Sequence, residues 1–265
     1  MPVVSEHEMI DSAKTPDGGT ISLLREKEEF FIRIDGLGLM SSRIHGSERA
    51  MARAGCDGLR DRAHPKVLVG GLGLGYTLRA TLDLLPASAN VDCIELMHAI
   101  AEWHRGALGD LAQRPLDDPR VRLIISDAIP WIAARSSEDP ESFDAILLDI
   151  DNGPIPLTTV ANFWLYTREG LDALMRCLRP GGTLVFWSAM EDPRFVSRML
   201  AAGFETHIRR VDPRTGHRAR RTFRRRRLRA THHVLFVGTK PSVQLPCVPS
   251  MCASNSSGGI GFPRR

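Results

Sequence analysis

Residues 66–76 read KVLVGGLGLGY, and residues 91–95 read VDCIE. Val67 to Val69 form a short apolar run of the kind a buried strand needs. The run breaks into Gly70-Gly71-Leu72-Gly73-Leu74-Gly75, and helix-forming sequence resumes with TLRATLDLL. Glycines let the chain turn tightly and let backbone amides approach a ligand at the start of the next helix. Glu95 closes a second apolar run one βαβ unit later, where a carboxylate can accept from a ribose diol. A glycine-rich turn alone also serves packing. Strand, turn, helix and acid together predict a site for a nucleoside cofactor.

The glycine spacing narrows the cofactor. Gly71, Gly73 and Gly75 give G-x-G-x-G, and Tyr76 stands where the dinucleotide fingerprint G-x-G-x-x-G has its last glycine. The shorter form is the S-adenosylmethionine pattern, which has no pyrophosphate to cradle.

Outward from this stretch the chain alternates. Strands are predicted at 66–70, 91–95, 121–126, 144–149 and 183–188, with helices at 75–85, 97–108, 128–135, 158–178 and 192–202. Such alternation implies a parallel sheet covered on both faces with right-handed crossovers. Arg179-Pro180-Gly181-Gly182 reads as a turn before the fifth strand. FETHIRRV (204–211) and THHVLFVG (231–238) add two strands. Upstream, ISLL and EFFIRI flank the polar REKE and predict a β-hairpin. Ser47 is the expected cap of a short helix that follows. The expected fold is α/β, a single Rossmann-like domain with a mostly parallel seven-stranded sheet behind a small N-terminal hairpin. Residues 1–60 hold the hairpin and short helix, 61–240 the nucleoside-binding domain, and 241–265 a Pro-, Ser- and Gly-rich tail expected to be disordered.

Composition sets the class. Of 265 residues, 43% are hydrophobic and 25% charged, the ordinary balance of a soluble globular chain. MPVVSEHEMIDSAK lacks the basic flank and apolar core of a secretory signal, and no apolar run is long enough to span a bilayer. Five scattered cysteines without C-x-x-C spacing read as reduced thiols, so a cytoplasmic location is expected. The net charge of +4 conceals an asymmetry: residues 209–230 hold eleven arginines and one acid, which leaves the remainder acidic. The arginine-rich stretch, including Arg218–Arg229, reads as a solvated loop, as a patch for nucleic-acid phosphates, or as a sink for acidic partners. Its one aromatic residue, Phe223, makes no stacking platform.

In a doubly wound sheet the ligand lies beyond the carboxyl ends of the strands. The first predicted strand there presents the glycine turn and the second Glu95. The third, VRLIISDA, presents Asp127 and Ala128, a carboxylate and a backbone N–H suited to adenine, although Asp127 equally suits a helix cap. The fourth, FDAILLDIDNGP, presents Asp149, Asp151 and Asn152. A carboxylate following four apolar residues, as Asp149 does, is costly unless paired or used. Asp151 and Asn152 also suit a turn before Gly153-Pro154. His98 reads as a surface residue at a helix start. His232 and His233 fall on opposite strand faces, which argues against a shared metal, and no metal site is expected.

KVLVGGLGLGYTLRATLD, VDCIEL, RVRLIISDAIPWI, FDAILLDIDNGP and LRPGGTLVFWS resemble the spermidine synthase group of aminopropyltransferases, which shares the class I methyltransferase fold. The resemblance spans roughly residues 20–240. It implies that Glu95 binds ribose, that Asp127 binds adenine, and that Asp149 matches the leading acid of a DSSDP-like stretch that binds and deprotonates the attacking amine. Beside the resemblance, Asp151 is read with Asp149 as catalytic, and Glu48, Tyr76 and Asn152 are read as substrate-binding. The acid that grips the cofactor's terminal amine falls at Leu74, the second acid of the DSSDP-like stretch at Asn152, the glutamine of an LDGxxQ-like segment at Leu39, and a substrate-contacting tyrosine near Glu48. The implied activity is aminopropyl transfer to a small amine from decarboxylated S-adenosylmethionine. A homodimer is among the partner readings. Two alternatives stay open: methyl transfer from S-adenosylmethionine, and non-catalytic nucleoside or RNA binding.

Overall fold

A computed structural model describes residues 7–150, 153, 160–218 and 232–242. Four strands open it: β1 (Glu8–Lys14), β2 (Thr20–Glu26), β3 (Glu29–Ile34) and β4 (Leu37–Ser41), paired in that order as an antiparallel meander. The predicted hairpin is therefore the centre of a larger sheet. Ile21, Leu23 and Ile32 are fully buried and give it an inner face.

Helix α1 (Gly46–Cys56) follows and packs against the second sheet. Gly55 meets that sheet so closely that a Cβ there would lie 2.4 Å from Leu147 Cδ2. Ser47 does not cap this helix. The N-cap is His45, which makes no side-chain cap bond, and the Ser47 hydroxyl is turned inward to other partners.

The second sheet is built from β5 (Lys66–Gly70), β6 (Asn90–Glu95), β7 (Val121–Ile125), β8 (Phe143–Leu148), β9 (Leu178–Ser188), β10 (Glu205–Val211) and β11 (His233–Thr239). Its order is β10-β11-β9-β8-β5-β6-β7, parallel from β9 to β7 and antiparallel at the β10-β11-β9 edge. Covering helices are α2 (Tyr76–Leu84), α3 (His98–Arg105), α4 (Ala128–Glu138), α5 (Arg168–Cys177) and α6 (Pro193–Ala201). Val67, Leu68 and Val69 are all fully buried, as a central parallel strand requires. Strand alternation sends Val67 and Val69 into a core with α1, α2 and the meander, and Leu68 into a core with α4, α5 and α6. Each such side chain stabilises the fold by roughly 1.5–3 kcal/mol.

Two predicted boundaries moved. The single helix expected at 158–178 is a 3₁₀ segment, Val160–Tyr166, followed by α5, because the Thr167 hydroxyl caps a new start by accepting from Gly170 N. Arg179–Gly182 does not precede the fifth strand; it bulges out of β9. Leu178 pairs with Phe143 and Thr183 with Ala145, and Gly181 takes φ +78°. Arg179 there donates to the buried Asp144 at 2.6 Å. Among the described residues, no helix is long and apolar enough to cross a membrane. Of the expected tail at 241–265, residues 243–265 lie outside the described residues.

Candidate functional site

The chain runs β5, β6, β7 in one direction across the sheet, then returns to place β8 on the other side of β5. Loops that leave β5 and β8 therefore part company at this point, and a cavity forms between them. The neighbouring strand ends are joined tightly: Asp149 N donates to Gly70 O at 2.8 Å between β8 and β5, and Gly71 N donates to Ile94 O at 2.8 Å between β5 and β6. Gly71 has φ +88°, and a Cβ on it would lie 2.2 Å from Asp149 O. Only glycine fits there.

The cavity floor is made by Gly71, Gly73, Glu95, Asp127, Ala128 and Asp149. All six were expected at a ligand site from sequence. Met97, Ser126, Ile150 and Asn162 are among the other lining residues, and the outer wall comes from the meander through Ile21, Ile34, Leu39 and Met40, with Thr15 and Pro16. Among the described residues, the lining holds three carboxylates and no Lys, Arg or His.

Glu95 is 6% exposed and accepts from two backbone amides, Leu72 N at 2.9 Å on one oxygen and Met97 N at 2.8 Å on the other. Burial pushes its carboxyl up, and these amides pull it back. Asp127 is the N-cap of α4, accepting from Ile129 N at 2.9 Å, so the capping role and a place in the cavity coincide. Ala128 is the first residue of that helix, whose backbone N–H has no partner within the helix.

Gly73 lies where any side chain would meet Met40 Sδ at 2.9 Å, so the turn and the meander wall are in close register. Gly75, also expected in the site, does not line the cavity. Its φ is +83°, and a Cβ would strike His104 Cε1 at 2.7 Å. His104 holds the turn from behind: Nε2 donates to Gly73 O at 2.9 Å. Its Nδ1 has no hydrogen-bond partner among the described residues, and burial lowers its pKa.

Asp149 accepts from Thr77 Oγ1 at 2.7 Å. Burial pushes its carboxyl up, and the threonine bond partly offsets that. Burial, with the Asp149 charge second, raises the carboxyl of Glu48, on α1, to about 7. Ser47 Oγ donates to Glu48 Oε2 at 2.7 Å and is also 2.9 Å from His233 Nδ1. Burial and the neighbouring His232 depress His233 to about 4. The two histidines diverge: His232 lies 3.5 Å from Glu191. Tyr76 is used elsewhere, donating to Ser42 O at 3.2 Å and stacking on His45. His98 is exposed and pairs with Glu102. Asp151 and Asn152 lie outside the described residues.

Sequence reasoning missed His104, Thr77, Ser47 and His233. Thr77 lies just past the glycine turn with no site role read for it, and the Ser47–His233 contact joins residues 186 apart in the chain. A separate concavity over α1 and β10 is lined by Arg53, Arg209, Arg210 and Arg218 with Asp57. Arg210 is paired with Glu191. Residues 219–229 of the arginine-rich stretch lie outside the described residues. No three His, Cys, Asp or Glu side chains converge as a metal centre would require among the described residues.

This arrangement has an acid after the second parallel strand, an Asp cap after the third and a carboxylate at the switch point, where doubly wound sheets have their ligand crevice. Residues 54–204 match the spermine/spermidine synthase domain, and the chain belongs to that family. A polyamine aminopropyltransferase of Mycobacterium tuberculosis (strain H37Rv) is 31% identical over 150 residues, covering 52% of this chain and 26% of the relative. One from Aeropyrum pernix is 32% identical over 127 residues, covering 45% of this chain and 36% of the relative. The matched stretch thus spans about a quarter to a third of these relatives. Among solved structures, a spermidine synthase in complex with the transition state analogue AdoDATO superposes with a TM-score of 0.66 at 19% identity, covering 88% of this chain and 74% of the other. The spermidine synthase of Thermotoga maritima gives 0.62 at 18%, covering 88% and 73%. These two likenesses establish the shared fold.

Proposed function

We propose that this chain is a transferase that moves an aminopropyl group from decarboxylated S-adenosylmethionine to an amine. The observation that carries the reading is the carboxylate-only charge of the cavity, set by Glu95, Asp127 and Asp149. A cationic ligand with a diol and an adenine amino group matches that lining. Glu95 would accept from the ribose hydroxyls, and Asp127 with the Ala128 amide would hold adenine. When bound, the sulfonium supplies an activated carbon and a neutral thioether leaving group.

The protein's own work is then to orient the amine and remove its proton. Asp149 is the group for this. It is held by Thr77, partly buried, and burial has already raised its affinity for a proton. The amine nitrogen loses a proton to the carboxylate and forms a C–N bond. The C–S bond breaks with its electron pair retained by sulfur, which leaves methylthioadenosine.

One observation favours a second reading, methyl transfer from S-adenosylmethionine. Leu74, 4% exposed, stands where the resemblance implies an acid for the terminal amine. Against it, the carboxylate of S-adenosylmethionine would enter a cavity whose described lining offers no cation. Aminopropyl transfer is the better fit. The deciding experiment mixes the protein with putrescine and either sulfonium, and follows methylthioadenosine by mass spectrometry. Methylthioadenosine from the decarboxylated compound supports the proposal. S-adenosylhomocysteine formed from the other sulfonium, with no methylthioadenosine, sinks it.

A further inference from the structure

Strand β10 closes one edge of the second sheet and pairs with β11 alone. Its residues alternate, so His207, Arg209 and Val211 share the face on which α1 packs, while Ile208 joins the core on the other face. Val211 is buried, whereas His207 and Arg209 are exposed. Helix α1 therefore leaves part of the edge strand uncovered. A recess of about 580 Å³ lies there, with Arg53 of α1 and Arg218 also in its lining. It shares no lining residue with the cavity that holds Glu95.

Arg218 is brought to the recess by a fixed turn. Asp212 N donates to His217 O at 2.9 Å, Gly216 N donates to Asp212 O at 2.8 Å, and Arg218 bridges back to Val211. The turn docks on the start of α1. Gly46 N donates to Pro213 O at 2.7 Å, and a Cβ on Gly216, at φ +71°, would lie 2.3 Å from Gly46 O. The arginine-rich stretch thus leaves from an anchored base rather than from a free loop.

Arginines elsewhere on the surface face acids: Arg79 pairs with Asp83, Arg122 with Asp92 and Arg168 with Asp172. In the recess only Arg210 does, with Glu191. Arg53, Arg209 and Arg218 have no ion pair among the described residues, and Asp57 is the one acid of the described lining. Arg209 Nε donates to His207 Nε2 at 3.2 Å, which engages one of the five donors of that guanidinium.

We propose that this recess binds the phosphate backbone of a nucleic-acid strand. Guanidinium groups without a counter-anion suit phosphate oxygens, and neutralising phosphates releases the strand's condensed counterions. The chain leaving Arg218 carries seven more arginines by residue 229 and no acid, so the positive charge continues beyond the recess. A folded protein partner would need an apolar or aromatic anchor point. The described lining has no Phe, Tyr or Trp, and its Ala50, Val211 and Leu235 are already buried in the core. Without a stacking platform the bases go unread, and binding is independent of sequence.

The test is fluorescence anisotropy of the full chain with a labelled oligothymidylate of about 16 nucleotides. Affinity should fall steeply between about 50 and 200 mM salt. Arg53→Ala and Arg209→Ala should each weaken binding about 2- to 5-fold, and each should lower the slope of log affinity against log salt by about 0.7. Asp57→Asn should tighten binding, a gain that misfolding could not produce. An oligouridylate that binds more tightly would support the site and name RNA as the source of the phosphates. Unchanged affinity and slope in all three variants would move binding to the arginine run and overturn the recess as a site. Equal competition by poly-glutamate would overturn it in favour of acidic proteins. Charged side chains also guard exposed sheet edges. Self-association of Arg209→Ala with full oligonucleotide affinity would reduce the arginines to that role, and no binding at all would sink the proposal outright.

Discussion

Gly71 and Asp149 touch through backbone alone: the space for a Cβ on the glycine ends 2.2 Å from the aspartate carbonyl oxygen. This contact joins the two loops that diverge around the cavity, so the position of the Asp149 carboxylate depends on a residue that has no side chain. Gly71→Ala should force the loops apart. The left-handed backbone alone costs about 1–3 kcal/mol, and the clash adds to it. Thermal denaturation should show the loss, and methylthioadenosine affinity should fall with it. A variant with unchanged melting and binding would show that the loops adjust freely.

Glu95→Gln keeps the size of the side chain but sets an amide NH₂ against one of two backbone donors, Leu72 N or Met97 N. Hydrogen bonds to charged groups are worth about 1.5–3 kcal/mol. Methylthioadenosine affinity should therefore drop roughly 10- to 100-fold by calorimetry. Unchanged affinity would remove Glu95 from the ribose site.

Asp149→Asn tests the proposed base. Turnover should fall about 100-fold or more, as loss of general base catalysis implies, while methylthioadenosine affinity stays near that of the unmodified protein. Equal losses in both would make Asp149 a structural residue.

Glu48 gives stability a pH dependence whose sign follows from its environment. Its carboxyl holds a proton more strongly in the folded chain, at about 7 against an ordinary 4.5, so its cost is felt above neutrality and is relieved as pH falls. His233 works the other way, since its neutral form is favoured in the fold. It costs stability only as pH drops below 6.5 toward about 4. From about pH 8 to about pH 6.5 stability should rise on the order of 1 kcal/mol, and Glu48→Gln should flatten that slope. A slope of opposite sign in chemical denaturation would contradict the burial assigned to Glu48.

His104→Ala should loosen the glycine turn, since Nε2 holds Gly73 O from the side away from the cavity. The loss leaves a buried carbonyl unpaired, at a cost of about 1–3 kcal/mol. Faster amide exchange at residues 72–75 would reveal it. Exchange unchanged there would mean that the turn stands without the histidine.

The floor of the cavity was readable from sequence because each of its parts follows a buried strand. VLV, CIE, LIISDA and ILLD mark their own strand ends by where apolar residues stop, and the ligand face of a parallel sheet lies at those ends. Asp127 shows the limit of that logic. Capping and ligand binding were competing readings from sequence, whereas the fold makes Asp127 the cap of α4 and also sets it in the cavity lining. Ser47 was misread because hydroxyls capping helices are common; here the hydroxyl serves a carboxylate and a histidine from the far end of the chain. Contacts of that span leave no periodicity to find. The break at Thr167 was hidden for a different reason, since apolar residues recur on both sides of it, at 163–166 and at Leu171, Leu174 and Met175, while the cap alone resets the helix.

The cavity wall that carries Leu39 and Met40 belongs to the meander, and the floor belongs to the parallel sheet. A chain emerging amino terminus first makes the roof of its binding chamber before the floor exists, and neither encloses anything alone. The chamber is a seam between two separately hydrogen-bonded sheets, and any guest within it fastens one to the other.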